Sequence, residues 1–392
     1  MTTAEVYPVA PTATGSQPKT RSKRARLGTT GSSSTPPPAS EQVRQEKRQE
    51  RHALKRAQRA FTDSKSSRLC WTTSGAVSID VGRSLVAHVS GVHRCGSPWA
   101  CPVCAPVIRQ RRAGEIDQAL SLHLAAGGGA EFVTLTARHH RADSLSSRLD
   151  VVAEALKLTL SGSPWARRRS ALGFLGAIRT TEVTWGEANG WHPHCHALFL
   201  FDRPLSKAER VDLEEWLFGR WGGVCKRKGL GSITRANGVD VRAVHGAGEL
   251  GDYLTKVEGG WSAGAELSRT DLKTHAPIAL LRELVATGDR IWLGRWLEYE
   301  RATFDKRAIR WTPGLRGRLL GVEAEASNTE LAASEGADLA LLRAIVGRDV
   351  WHGHLRDGTT GELLTELEQC AALLLVLSDL VGTDLDPIGV PR

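Results

Sequence analysis

Residues 191–201 read WHPHCHALFLF, and they follow residues 174–185, FLGAIRTTEVTW, across GEANG at 186–190. Gly186, Asn189 and Gly190 make GEANG turn chemistry, so the two flanking stretches read as a strand and its returning partner. Side chains on a strand alternate between faces. His192, His194 and His196 therefore share one face, and Cys195 and Ala197 the other. A turn with an odd number of residues also brings Glu182 onto the histidine face.

Outward from this hairpin the pattern alternates between strand and helix. Phe132 to Thr136 is β-branched at positions 133, 134 and 136 and predicts a strand. Residues 144–160 carry Leu145, Leu149, Val152, Leu156 and Leu160 at helical spacing, and Gly162, Ser163 and Pro164 stop the run. Ser206 with Glu209 has capping-box spacing and predicts a helix to about Trp221. Residues 239–244 predict a last short strand, and 247–258 a helix weakened by Gly251. This order predicts an α+β domain, an antiparallel sheet with helices on one face and the other face free for a site.

The rest of the chain divides around that core. Residues 1–40 are rich in Thr, Ser, Pro and Gly with a basic knot, and are expected to be a disordered basic tail. Residues 41–112 combine a basic helix, formed on a phosphate backbone, with a cysteine-bearing segment. The α+β core occupies 113–260 and a Trp-rich accessory region 261–320. Residues 321–392 are expected to be an acidic helical C-terminal appendage.

Composition narrows the function. The 392 residues carry a net charge of +9, unevenly spread: +13 over residues 1–113, +5 over 114–320 and −9 over 321–392. A basic front half suits a polyanion, most simply nucleic acid. No apolar run approaches the ~20 residues of a membrane helix, and no basic flank precedes an apolar stretch at the N-terminus. A membrane or secreted protein is therefore not expected. Seven cysteines, an odd and clustered set, point to metal rather than disulfides.

Three groups of residues carry chemistry. Imidazoles two apart on one strand face can grip a divalent cation. With Glu182 added, His194 and His196 make a donor set suited to Mg²⁺ or Mn²⁺. Glu249, Tyr253 and Lys256 fall on one side of a helix at i, i+4 and i+7. A phenol of pKa ~10 attacks poorly unless a metal polarises its target or a cation such as Lys256 assists; Glu249 could accept a proton. Cys95, Cys101 and Cys104, the last two as CPVC, have the spacing of a tetrahedral zinc site. Cys70 is the first candidate for a fourth ligand, His93 the second, and a redox dithiol is the alternative. Arg109, Arg111 and Arg112 follow as phosphate contacts or as a solvated face.

Taken together, FVTLTARHH at 132–140, HPHCH at 192–196 and ELGDYLTKV at 249–257 resemble, in that order, the rolling-circle plasmid replication initiators of the HUH endonuclease superfamily. The similarity is to the single-tyrosine group of Gram-positive plasmids and extends over about residues 66–320. It implies a ferredoxin- or RRM-like sheet in a bacterial cytoplasmic protein. His194 and His196 would be the paired metal ligands and Glu182 the preceding acidic one. Tyr253 would be the nucleophile that keeps the 5′ phosphate, Glu249 the carboxylate that activates water to end the round, and Lys256 the lysine of the Y-x-x-K motif. The implied substrate is origin DNA, single-stranded or extruded as a hairpin, with host polymerase and a host helicase as partners. His139-His140 is a departure, since one histidine would suffice.

Two other readings compete. A single-tyrosine transposase or mobilisation relaxase breaks the same bond. A zinc-containing DNA-binding repressor needs neither Tyr253 nor metal-polarising histidines.

Overall fold

The computed structural model describes residues 41–246, 276–333 and 340–381. The tail expected at 1–40 and the helix expected at 247–258, with Glu249, Tyr253 and Lys256, lie outside the described residues. Among the described residues no helix is long and apolar enough to cross a membrane.

The hairpin forms as expected. Strand β4 is Phe174–Gly186 and β5 is Gly190–Phe201. Gly186 pairs with Gly190, so three residues make the turn, and Glu182 stands directly opposite His194. Gly190 has φ +74°, and a Cβ there would lie 3.0 Å from the Arg141 backbone, so only glycine closes this turn without strain. Strands β3 (Gly129–Thr136), β6 (Val239–Ala243) and β7 (Ile309–Trp311) complete an antiparallel sheet of order β6-β3-β5-β4-β7.

Helices cover both faces of this sheet. Val133, Leu135, Ala197 and Phe199 pack under α4 (Leu145–Thr159), α5 (Gly162–Ala171) and α6 (Lys207–Arg227). The expectation of a second face left free is corrected: Phe132, Ile178, Leu198 and Leu200 pack there against Ile116 and Leu120 of α3 (Cys104–Ala125) and Leu315 of α9 (Leu315–Leu320). The reason lies in the period of β5. Leu198 and Leu200 continue the register of His192, His194 and His196, and two leucines left in water would forfeit ~1.5–3 kcal/mol each. The site is therefore confined to the end of the face where the histidines stand.

Local signals set the helix starts. Ser206 and Glu209 form a reciprocal capping box at α6, and Ser144 caps α4. Gly162 to Pro164 does end α4, but the same residues begin α5. Trp221 of α6 is fully buried and donates its Nε1–H to the Thr136 carbonyl at 3.0 Å. Trp221→Ala should cost about 3–5 kcal/mol, read as a lowered urea midpoint with an unchanged m-value.

A second sheet, of order β2-β1-β8, joins the two ends of the described chain. Strands β1 (Val77–Gly82) and β2 (Ala87–Ser90) form a hairpin, and β8 (Ala340–Val346) pairs antiparallel with β1. Residues Leu342, Ile345 and Val346 are thus in a strand, which corrects the all-helical reading of the C-terminal region. Around β8 stand α10 (Asn328–Ala333), α11 (Arg348–Asp357) and α12 (Thr360–Val381). Leu331, Trp351, Leu355 and Leu364 from these helices enter one apolar cluster with Cys70, Ile79 and Cys101.

Helix α1 (Glu41–Phe61) is also more than a charged rod. Leu54 clusters with Trp99, with Leu280 of α7 (Pro277–Thr287), and with Trp296 and Tyr299 of α8 (Arg290–Thr303). Tertiary packing rather than a phosphate backbone stabilises it. The short helix α2 (Lys65–Leu69) then leads into Cys70.

Candidate functional site

Two groups of potential metal ligands stand in the described chain. In the first, Cys70, Cys95, Cys101 and Cys104 bring all four Sγ atoms within 4.8 Å of one another. The Cys70 Sγ lies 3.8 Å from that of Cys101 and 3.4 Å from that of Cys104. A tetrahedron with Zn–S bonds of ~2.3 Å has edges of about 3.8 Å, so the thiols fit such an ion. The Cys104 N–H points to the Cys101 sulfur at 3.4 Å, as expected where a C-x2-C turn starts a helix. Cys70 takes the fourth place. His93 stays outside the group; its carbonyl accepts the Trp71 N–H at 2.6 Å. Trp71 has φ 69°, an unusual conformation for a large residue, and is held by stacking on Trp351 and by Arg94 over its ring.

In the second group, Glu182, His194 and His196 share the open end of the main sheet. The Glu182 Oε2 lies 3.1 Å from the His196 Nε2. Thr134 and Thr136 of β3 stand opposite His196 and His194, and their hydroxyls reach the two Nδ1 atoms at 3.2 and 3.4 Å. A hydroxyl at Nδ1 fixes each ring so that Nε2 points away from β3, as in oriented metal-ligating histidines. The three side chains are less tightly gathered than the thiols, which are the one such group within 4.8 Å among the described residues. The His194 ring lies tilted against that of His192, with centroids 3.7 Å apart, and His192 is stacked on His139 at 3.8 Å.

Burial governs the charge of these rings. It depresses His194 and His196 to about 4, and neighbouring imidazoles add to the effect at His194. His192 falls to about 2, again first by burial. Although Glu182 touches His196, burial outweighs its attraction, so the contact is a hydrogen bond from a neutral ring. Neutral imidazole is the form that binds metal. The pH dependence follows. Each histidine binds a proton more readily unfolded, near 6.5, than folded, so its contribution to stability is full above pH ~6.5 and is lost as pH falls towards 4. Urea midpoints should therefore fall steadily from pH 7 to pH 5, and His194→Gln should flatten that slope.

The arginines after the cysteines divide. Arg112 is buried and bonded to Glu115, Glu325 and the Ala326 carbonyl, at 3.0, 2.8 and 2.5 Å. Its expected phosphate contact is replaced by a structural role. Arg109 donates to the Pro98 carbonyl at 2.9 Å and lines a small recess with Trp99, Cys101 and Tyr299. Arg111 is half-buried. The residues that the sequence reading missed are Thr134 and Thr136. Their signal was the TLT alternation, which puts both hydroxyls on one face of β3.

The chain is thus of mixed α/β class, with an imidazole–carboxylate trio on its antiparallel sheet and, beside it in sequence, four cysteines whose thiols could hold a metal ion. The family model for replication protein matches residues 86–221, a span holding Cys95, Cys101, Cys104, Glu182, His194 and His196. A "Protein rep" of Streptomyces lividans is 35% identical over 338 residues, 68% of this chain and 74% of that one. A "Neomycin resistance protein" of Streptomyces cyanogenus is 40% identical over 134 residues, 28% of this chain and 31% of that one. No solved structure matches. The chain belongs to the replication protein family, in agreement with the plasmid-initiator resemblance of its motifs.

Proposed function

We propose that this chain initiates rolling-circle plasmid replication by cutting one strand at the origin. The observation that carries the reading is the β3–β5–β4 register, which sets Thr134, Thr136, His194, His196 and Glu182 on one face of three adjacent strands. A divalent ion, Mg²⁺ or Mn²⁺, held by His194, His196 and Glu182 would polarise a phosphoryl oxygen of the scissile bond.

The chain's own residues supply the rest. The Tyr253 oxygen attacks phosphorus, forming an O–P bond to the 5′ side as the bond to the 3′ oxygen breaks. The phenolic proton leaves to solvent, and the 3′ oxygen takes a proton from water or Lys256. Glu249 later accepts a proton from the water or hydroxyl that resolves the phosphotyrosine. The freed 3′ hydroxyl primes host polymerase, with a host helicase as a further partner in the bacterial cytoplasm.

Reach supports the role of Tyr253. It follows Ala243, the end of β6, by ten residues, a tether of at most ~35 Å. The strand β6 lies two places from β5, or roughly 10 Å. Arg109 and Arg111 remain candidates for holding the strand.

The test uses the full chain, Mn²⁺ and a single-stranded origin oligonucleotide labelled on its 5′ or 3′ side. The reading expects label from the 3′ portion, the piece that begins with the 5′ phosphate, to stay on the protein in a denaturing gel. Tyr253→Phe should abolish that band. A cut without any protein-linked DNA would refute the tyrosine mechanism and leave a hydrolytic nuclease.

A further inference from the structure

Lys55 is a lysine in the wrong place for an ordinary surface helix. It lies in the middle of α1 yet is only 1% exposed. Its ammonium donates to the Gln58 Oε1 at 2.8 Å, and the Gln58 amide in turn donates to the Ala100 carbonyl next to Cys101; the charges of Cys101, Cys70 and Cys95 favour its protonated form. Among the described residues no carboxylate oxygen lies within 4.0 Å of it. The acid that acts on it, Glu300, is reached through Gln58 rather than by a direct ion pair; a buried ammonium so indirectly paired costs several kcal/mol, and four neutral thiols would not offset it. Arg59, one turn on, donates to the Cys70 carbonyl at 2.5 Å.

The charges balance if the cysteines hold a divalent metal. Four thiolates around Zn²⁺ leave a net charge of −2, which the two cations Lys55 and Arg59 match, while Glu300 beyond Gln58 is held by the Gln58 amide and the Thr62 hydroxyl. The neighbouring contacts tie this centre to distant parts of the fold. Gln58 is fully buried and its Nε2 donates to the Ala100 carbonyl at 3.0 Å and to the Glu300 Oε1 at 2.8 Å. Thr62 donates to the Glu300 Oε2 at 2.7 Å. Thus α1 bridges the cysteine segment and α8 through side chains that have no access to water.

We propose that Lys55 is the built-in counter-ion of a zinc tetrathiolate, so that metal loading and the seating of α1 are one event. The proposal rests on the reading of Cys70, Cys95, Cys101 and Cys104 as a zinc site. It makes Lys55 and Arg59 positioning residues of that site and assigns the basic helix a part in holding metal, beyond any contact with DNA. An uncompensated dianion in the same apolar surroundings would release its ion faster and expose its sulfurs to attack.

Zinc per chain is measured first on the purified full-length protein by elemental analysis. Absence of zinc after reconstitution would remove the zinc reading itself, whatever Lys55 does. With zinc present, K55M is expected to weaken its affinity about 10–100-fold in competition with a chelator and to speed alkylation of the cluster thiols. K55R, which keeps the charge, should stay within a few-fold of the parent. Equal affinity in a folded K55M chain would overturn the counter-ion role. If K55M does not fold, hydrogen exchange of the parent decides. The amides of residues 52–59 should lose protection when zinc is stripped, and unchanged protection would overturn the coupling.

Discussion

His194→Ala combined with His196→Ala should lower origin-strand cleavage by about 10³-fold or more while leaving the fold in place. The magnitude follows from the chemistry. A metal that polarises a phosphoryl oxygen contributes several kcal/mol to the transition state, and each ~1.4 kcal/mol is a factor of ten in rate. The fold should tolerate the change because Ile178, Leu198 and Leu200, which carry most of the apolar packing on that face, lie further along the strands, although Phe132 stacks on His196. Binding of the uncut oligonucleotide should change far less than cleavage, since phosphate contacts elsewhere remain. A fall in binding equal to the fall in rate would mean that the histidines touch DNA rather than assist its cleavage. Single variants should separate the pair: His196 is buried and touches Glu182, whereas His194 lies against His192.

The second large effect concerns the tetracysteine module. Cys101→Ser, or removal of metal by a strong chelator, should unfold the module while the main sheet survives. Structural zinc contributes roughly 10 kcal/mol or more to the folding of small sites, which rivals the stability of a whole domain. The module has a compensating core, with Trp351, Ile79 and Leu364 packed around the cysteines, but that core is assembled from segments some 260 residues apart in sequence. Strands β1, β2 and β8 should therefore lose hydrogen-exchange protection first. Strands β3, β4 and β5 have their own apolar layers on both faces and should keep it. Simultaneous loss of protection in both sheets would show that the chain unfolds as one cooperative unit.

The hairpin β4–β5 and helix α6 were legible in the sequence because their signals are local. An alternating pattern on either side of GEANG defines the first, and a Ser-x-x-Glu box defines the second. The strand β8 was not legible. Its sequence, ALLRAIV, opens with good helix formers, and its pairing partner β1 stands at the other end of the described chain. Pairing energy from so remote a partner outweighs local propensity. The candidate ligands His194, His196 and Glu182 were named from face alternation together with the family resemblance of HPHCH, and the register sets them on the same sheet face. Thr134 and Thr136 escaped notice because a strand of β-branched residues reads as core. The burial of Lys55, Gln58 and Arg112 was not legible because charged or amide side chains on a helix are ordinarily solvated. Their burial depends on groups brought in from elsewhere: the thiols, the Ala100 carbonyl and Glu325.

The most direct measurement is a crystal structure of the full chain with a bound origin oligonucleotide and Mn²⁺, read by anomalous scattering. The proposed mechanism predicts a manganese peak bonded to His194, His196 and Glu182, with the Tyr253 oxygen in line with the scissile phosphate beside it. A manganese peak bonded to other residues, or Tyr253 on the far side of the sheet from that phosphate, would contradict it.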